Sequence, residues 1–431
     1  MKRYFLFLLA VLMCGGLLFA GGGQQSPAQV DPNAPVVLDV WCWNPRTNMF
    51  SMNTADEIYR RTHPNVRINI VETASDDVQS KIVTILSANQ TTGLPDIFLC
   101  QDNDLMKNIL TFPRAFYPVS DSIDMNKFAP YKVEKGTVDG KSYGVPYDNA
   151  ATGFFIRKDY VEEAGLRVED FNDATWDRVI ELGRIVKART GHSLLSQLWS
   201  SMDILMTMLQ STGSWFFKAD GSLDMMDNQT LRAALTTLKT MIDEGIILMV
   251  NDSTANNAAL NNGTVAGIIQ GSWIVGTITA EPSQSGKWAV VSTPRFANIP
   301  GAQNASNQGG SSWVIPAASS KINAAVDFLD KTFGGSVELY ETILPQSGHV
   351  GTWLPIASSA VYNDPHPFFG GQKIYADFVN WAANVPRVKY GIYNYEARDA
   401  AIRAVSDMAQ GRTLDQALET AQRSVQFLMA Q

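Results

Sequence analysis

The chain has 431 residues, with 34 basic against 42 acidic side chains, a formal net charge of −8 and 3 cysteines. An acidic chain without a basic run repels phosphate backbones, which excludes a nucleic-acid partner and favours solubility after export. At roughly 100 to 200 residues per domain, the length implies two or three domains and a large core.

Lys2 and Arg3 precede the apolar run 4–13, and a second apolar patch ends at Leu18, Phe19 and Ala20. This is the layout of a secretory signal peptide over 1–20, with cleavage expected after Ala20. The alternative is an exported chain anchored to a membrane by lipid at Cys14. Against it, Met13 stands where such a signal carries a small residue, and Leu17 to Phe19 would remain on the mature end. Residues 21–35, rich in Gly, Gln and Pro, read as a flexible tether. No later segment reaches the ~20 uninterrupted apolar residues of a membrane helix. The expected location is therefore exported and periplasmic.

From 36 to 101 strand and helix alternate. VVLDVWCW is an apolar strand, 54–61 suits a helix, VRINIV alternates as a strand, Val78, Ile82, Ile85 and Leu86 line one helical face, and PDIFLC is a third strand. That order implies a parallel sheet with helices on both faces, and such sheets bind ligands beyond the carboxyl ends of their strands. The residues just past each strand are Trp43 and Asn44, then Ser75, Asp76 and Asp77, then Gln101 and Asp102. Asp76 or Asp77 also suits a helix N-cap, as does Asp102 before Asn103. Cys42 and Cys100 end neighbouring strands; they read as buried thiols, with a disulfide open to an exported chain.

Asp139 and Gly140 predict a tight hairpin turn, followed by the alternating Tyr143, Val145 and Tyr147. A strand over 152–156 leads into a helix that starts near Lys158 and stops at Gly165. Val179, Leu182, Gly183 and Val186 mark an amphipathic helix after Thr175, and Leu231, Ala234, Leu235, Leu238, Met241 and Ile242 mark another before Gly245. NNGTVAGIIQGSW predicts a turn and a short strand ending at Gly271, Ser272 and Trp273; KWAVVSTP and GGSSWVIP predict two more strands. Thr413 and Gln416 form a capping box for a last helix with apolar positions from Leu414 to Leu428.

The segments GKSYGVP, RKD, TW, NGTVAG with GSW, GGSSW and GRTLDQAL occur in the order seen in extracellular solute-binding proteins, family 1, and the chain resembles that family from 36 to its last helix. The resemblance implies an α/β, two-lobed periplasmic-binding-protein fold of type II, the maltose-binding-protein-like form. Each lobe would be a mostly parallel sheet flanked by helices, joined by crossing strands. It implies a first lobe of 36–149 and 294–335 and a second of 150–293 and 336–431. Crossings are expected near 147–152, near 293–295 and between 333 and 351. It further implies a monomeric, non-enzymatic binding component that needs no cofactor and hands a mono- or oligosaccharide to the transmembrane subunits of an ABC permease.

A sugar ring packs an apolar face on an indole and needs its hydroxyls hydrogen-bonded once buried. Trp43, Trp199, Trp215, Trp273 and Trp353 fall in or beside loops, whereas Trp41, Trp176, Trp288 and Trp313 read as core. By motif, Trp273 should stack on the ring, with Asn44, Asp76, Gln101, Asp148 and Gly310 near the hydroxyls. Asp77, Asp102, Tyr147, Gly309 and Ser311 complete the candidate set. Tyr393 and Tyr395 could reach the cleft or seat the helix that follows.

A secreted glycosidase would need two carboxylates facing one bond across roughly 5 to 10 Å. The pairs Asp76/Asp77 and Asp102/Asp104 are too local, which leaves distant pairs such as Asp148 and Glu396. His63, His192, His349 and His366 lack metal-ligand spacing and read as surface or structural, and neither a GxSxG elbow nor a GxxxxGK[ST] loop occurs. A binder of a polyamine, metal chelate or peptide shares the lobed architecture; the aromatic content favours sugar.

Overall fold

The computed structural model describes residues 34–430; the leader, Cys14 and most of the tether lie outside the described residues. Two sheets organise the chain. The first has five strands in the order Val66–Glu72, Val36–Cys42, Ile97–Gln101, Ser311–Val314, Val145–Pro146. Its first three are parallel, and Ser311–Val314 runs antiparallel to both of its neighbours. The second sheet places Thr152–Arg157 between Gly267–Gly271 and Trp288–Ser292, antiparallel to both. The parallel pair Leu195–Leu198 and Ile247–Val250 extends it through a parallel bridge between Ser193 and Val265. Each sheet therefore runs one way except for a single reversed strand. In both, that strand is the first one made after the chain arrives from the other sheet.

The arrivals lie side by side. Asn149 N–H donates to Val350 O at 2.8 Å, Thr152 N–H to Ser306 O at 2.9 Å and Gln308 N–H to Ala150 O at 2.9 Å, while Asp148 pairs with Gly351 and Ala151 with Asn307. Three segments, 148–152, 306–308 and 350–351, thus meet between the sheets. Of residues 293–295, expected at a crossing, Thr293 Oγ1 donates to Thr152 O at 3.0 Å, while Arg295 pairs with Thr175 and its N–H donates to Ala174 O.

Local signals account for most elements. Asp139 and Gly140 take φ of 50° and 76° between the strands Thr137–Val138 and Lys141–Ser142. The helix Lys158–Glu163 precedes Gly165 at φ 72°. Thr175 caps Trp176–Thr190, and the Thr413/Gln416 capping box opens Leu414–Met429. Four expectations need correction. The first helix is Asn48–Tyr59, starting earlier than its apolar pattern shows. The strand expected over 143–147 shrinks to Val145–Pro146, which pairs with Trp313 and Ser312. The helix Ser75–Ser87 follows Ala74, so Asp77 caps nothing, and Asp102 begins the helix Asp102–Thr111 instead of capping it.

Trp176, Trp288 and Trp313 are buried as expected, whereas Trp41 is half-buried with Lys81 Nζ 5.5 Å from its ring. Cys42 and Cys100 are free. Register explains why: Val40 pairs with Ile97, which aligns Cys42 with Leu99, so Cys100 points to the opposite face of the sheet. Cys42 packs in the core with Leu99, and Cys100 in a separate one with Phe98 and Val314.

Candidate solute-binding site

Beyond the carboxyl ends of Val36–Cys42 and Ile97–Gln101 lies a cavity of about 570 Å³. One wall carries Trp43, Asn44, Gln101, Gly309, Gly310 and Ser311; the facing wall carries Trp215, Trp273, Asp203, Tyr390, Tyr395 and Arg398; Asp148, Asn307 and His349 come from the side-by-side segments. Three indoles thus share one space with carboxylate, amide and hydroxyl groups.

The side chains are held from behind. Asn44 sits at φ 60°, a conformation Asn tolerates, and its Oδ1 accepts the Arg46 N–H at 3.1 Å, turning the chain out of the strand into the first helix. Gln101 Nε2 donates to Ser75 Oγ at 2.8 Å. Trp215 stacks obliquely on Tyr390 with ring centres 4.7 Å apart. Tyr395 OH donates to Asp104 Oδ2 at 3.3 Å, and the Arg398 guanidinium lies 4.7 Å from the Tyr395 ring. Trp273 follows Gly271 so closely that a Cβ on Gly271 would enter the indole.

Electrostatics favour hydrogen bonding over chemistry. Asp148 Oδ1 accepts the Ser311 N–H at 2.7 Å, and its Oδ2 stands 3.7 Å from His349 Nε2. Burial holds the His349 imidazole below its ordinary value, against the pull of Asp148. Burial also pushes the Asp203 carboxyl up, although Ser201 Oγ donates to it at 2.9 Å. Glu396, the distant partner considered for Asp148, does not line the cavity and instead accepts from Lys107 Nζ at 2.9 Å. Among the described residues no group of three or more His, Cys, Asp or Glu could hold a metal.

Of the sequence candidates, Trp43, Asn44, Gln101, Asp148, Trp215, Trp273, Gly309, Gly310 and Ser311 line the cavity. Five others do not. Asp102 is fully buried with Lys132 and Ser312 on its two oxygens. Tyr147 is buried and donates to Ser51 Oγ at 2.6 Å. Trp353 is buried with its ring 6.1 Å from that of Tyr340, Trp199 packs half-buried on the core around Trp176, and Asp77 is exposed on its helix. The Asp76 side chain lies outside the described ones. Tyr395 reaches the cavity, while Tyr393 does not. Sequence reasoning missed Asp203, Asn307, Arg398 and, against its surface or structural reading, His349. The HV pair before Gly351 gave no signal, because His349 meets Asp148 only where the segments pair.

The chain matches the bacterial extracellular solute-binding proteins over residues 54–342. It is 38% identical over 410 residues to a lactose-binding protein of Rhizobium radiobacter, covering 95% of this chain and 93% of that protein. It is 22% identical over 337 residues to an arabinooligosaccharide-binding protein of Bacillus subtilis (strain 168), covering 76% of each. A solved structure of an extracellular solute-binding protein of family 1 superposes with a TM-score of 0.76 at 19% identity, covering 91% of this chain and 99% of that one. The galacto-N-biose-/lacto-N-biose I-binding protein of the ABC transporter from Bifidobacterium longum superposes with a TM-score of 0.75 at 17% identity, covering 92% and 97%. The two-sheet architecture is thus the two-lobed, maltose-binding-protein-like type II fold, in a family of binding proteins and not of enzymes. On this fold, with the family's match over 54–342 and this level of identity over nearly the whole length, the chain belongs to the bacterial extracellular solute-binding protein family.

Proposed function

We propose that this protein is the substrate-binding component of an ABC importer and captures a mono- or oligosaccharide in the cavity. The observation that carries this reading is the convergence of Trp43, Trp215 and Trp273 on one space with Asp148, Gln101 and Asn307. Indole faces suit the apolar face of a pyranose, and carboxylate and amide groups suit its hydroxyls. The lactose- and arabinooligosaccharide-binding relatives place carbohydrate first among solute classes.

The lobe boundaries are taken at the segments that meet between the sheets, not at the expected 293/294 and 335/336, because Arg295 pairs with Thr175 and the helix Val337–Ser347 packs on Asn48–Tyr59. The lobes close about the segments 148–152, 306–308 and 350–351. A sugar touching both walls favours the closed form by its differential affinity, and the closed monomer then docks on the permease. An affinity of ~1 μM corresponds to roughly 8 kcal/mol, within reach of two stacked rings and several hydrogen bonds.

The test is a melting screen of the exported protein against lactose, maltose and arabino-oligosaccharide, with putrescine and a ferric chelate as the competing classes. A ligand that binds only the native state raises the midpoint. A sugar should do so, uncleaved on recovery. A shift with putrescine or the chelate and none with sugar overturns the carbohydrate reading.

A further inference from the structure

Behind the cavity lies a buried charge cluster that stacking on indoles does not require. Lys132, on the helix Pro130–Lys135, is fully buried, donates to Asp102 Oδ2, and stands 3.6 Å from Asp148 Oδ1. The other oxygen of Asp102 accepts from Ser312 Oγ at 3.0 Å. Backbone bonds close the same knot: Asp102 N–H donates to Gly310 O at 2.9 Å and Tyr147 N–H to Ser311 O at 3.0 Å. Gly310, at φ 96°, leaves the ammonium its room, since a Cβ there would overlap Lys132 Nζ.

One ammonium therefore touches two carboxylates with different surroundings. Asp102, whose side chain is 0% exposed, is consumed by the cluster; Asp148, at 11%, lines the cavity. A buried ion pair needs only one partner of opposite charge, and Asp102 supplies it. The second carboxylate is the one that the cluster shares with the cavity. The Ser311 N–H and Lys132 fix Asp148 Oδ1 from behind, which leaves the carboxylate to accept from groups in the cavity.

We propose that Lys132 is a positioning residue of the solute site: it sets the Asp148 carboxylate, and with it the Gly310–Ser311 turn, in the geometry that accepts sugar hydroxyls. This rests on the carbohydrate reading. A merely structural lysine would weaken binding by the same factor whether or not Asp148 keeps its charge. A positioning lysine acts through Asp148, so the two effects are not additive.

The test is a cycle of sugar affinities by titration calorimetry on the full exported chain, with the sugar that raises the melting midpoint. Lys132→Met is paired with Asp102→Asn so that the fully buried Asp102 is not left charged without its ammonium, while Asp148 alone loses its support. The pair is expected to weaken binding about tenfold or more in the wild-type background and less than about threefold when Asp148→Asn is already present. Gly310→Ala gives a second route that keeps both charges and displaces the ammonium, with the same non-additivity expected. Equal losses in both backgrounds, or unchanged affinity in the paired variant, overturn the role of Lys132 alone. Absence of binding by any sugar to the wild-type protein overturns the carbohydrate reading and this proposal with it.

Discussion

The indole N–H of Trp215 donates to Asn394 Oδ1 at 2.7 Å, with both residues almost out of solvent. Trp215 follows the helix Asp203–Gln210, and Asn394 opens the helix Asn394–Ala409, so one bond fixes a cavity wall to a distant part of the chain. Asn394→Ala leaves a buried indole N–H unpaired. The expected cost is about 1–3 kcal/mol of stability, with a several-fold loss of sugar affinity as the ring gains freedom. Denaturant unfolding and calorimetric titration read the two effects separately; unchanged affinity would mean the bond serves stability alone.

Trp273 is half-buried, so its truncation should spare the fold. Trp273→Ala is expected to weaken sugar binding by about 1.5–3 kcal/mol, the worth of a large apolar contact, with a near-native melting point. Gly271→Ala should produce a similar loss while keeping the indole, because the added methyl enters the space of the ring and displaces it. Wild-type affinity in both variants would remove Trp273 from the site.

Lys135 is buried, donates to Asn307 Oδ1, and donates to Tyr390 OH at 2.7 Å. Burial, opposed by Asp102 and Asp148, pushes its amine from the ordinary 10.5 down to about 7. Between those values the unfolded chain holds a proton that the native one has released, so stability should rise with pH across that window. Below about 7 both states are protonated at this site, and its contribution is flat. Urea unfolding at a series of pH values should show a rise for the wild type that Lys135→Met reduces; parallel curves would refute it.

Cys42 and Cys100 are buried, and burial pushes the Cys42 thiol up to about 12 and that of Cys100 up as well. Since the thiolate is the reactive form, neither should be modified by a water-soluble disulfide reagent in the native state. Both should react on unfolding in denaturant without a reductant. Reaction of the native protein, or a need for reductant, would contradict the register drawn above.

What could be read from residue order was whatever depends on near neighbours. The runs 36–42, 66–72 and 97–101, the Asp139–Gly140 turn and the Thr413/Gln416 box are set by side-chain periodicity and local backbone bonds. Because a strand's end is a local feature, Trp43, Asn44 and Gln101 could be placed at the cavity in advance. Trp353 and Trp199 could not be told from Trp215 in this way: each lies in or beside a loop, and only packing sets Trp215 against the cavity and Trp353 beside Tyr340.

The three-dimensional arrangement decided the remainder. The helix Pro130–Lys135, PYKVEK, is polar in sequence, yet Lys132 and Lys135 are both inside, because the segments 148–152 and 306–310 bring Asp148 and Asn307 to them. His349 reaches Asp148 by the pairing of segments about two hundred residues apart, and Cys42 misses Cys100 by one position of strand register. Local order fixes which faces are apolar and where elements stop. Which buried charges find partners depends on contacts between distant segments, and those of Asp148 with His349 and of Lys135 with Asn307 exist only after the chain has crossed between its two sheets.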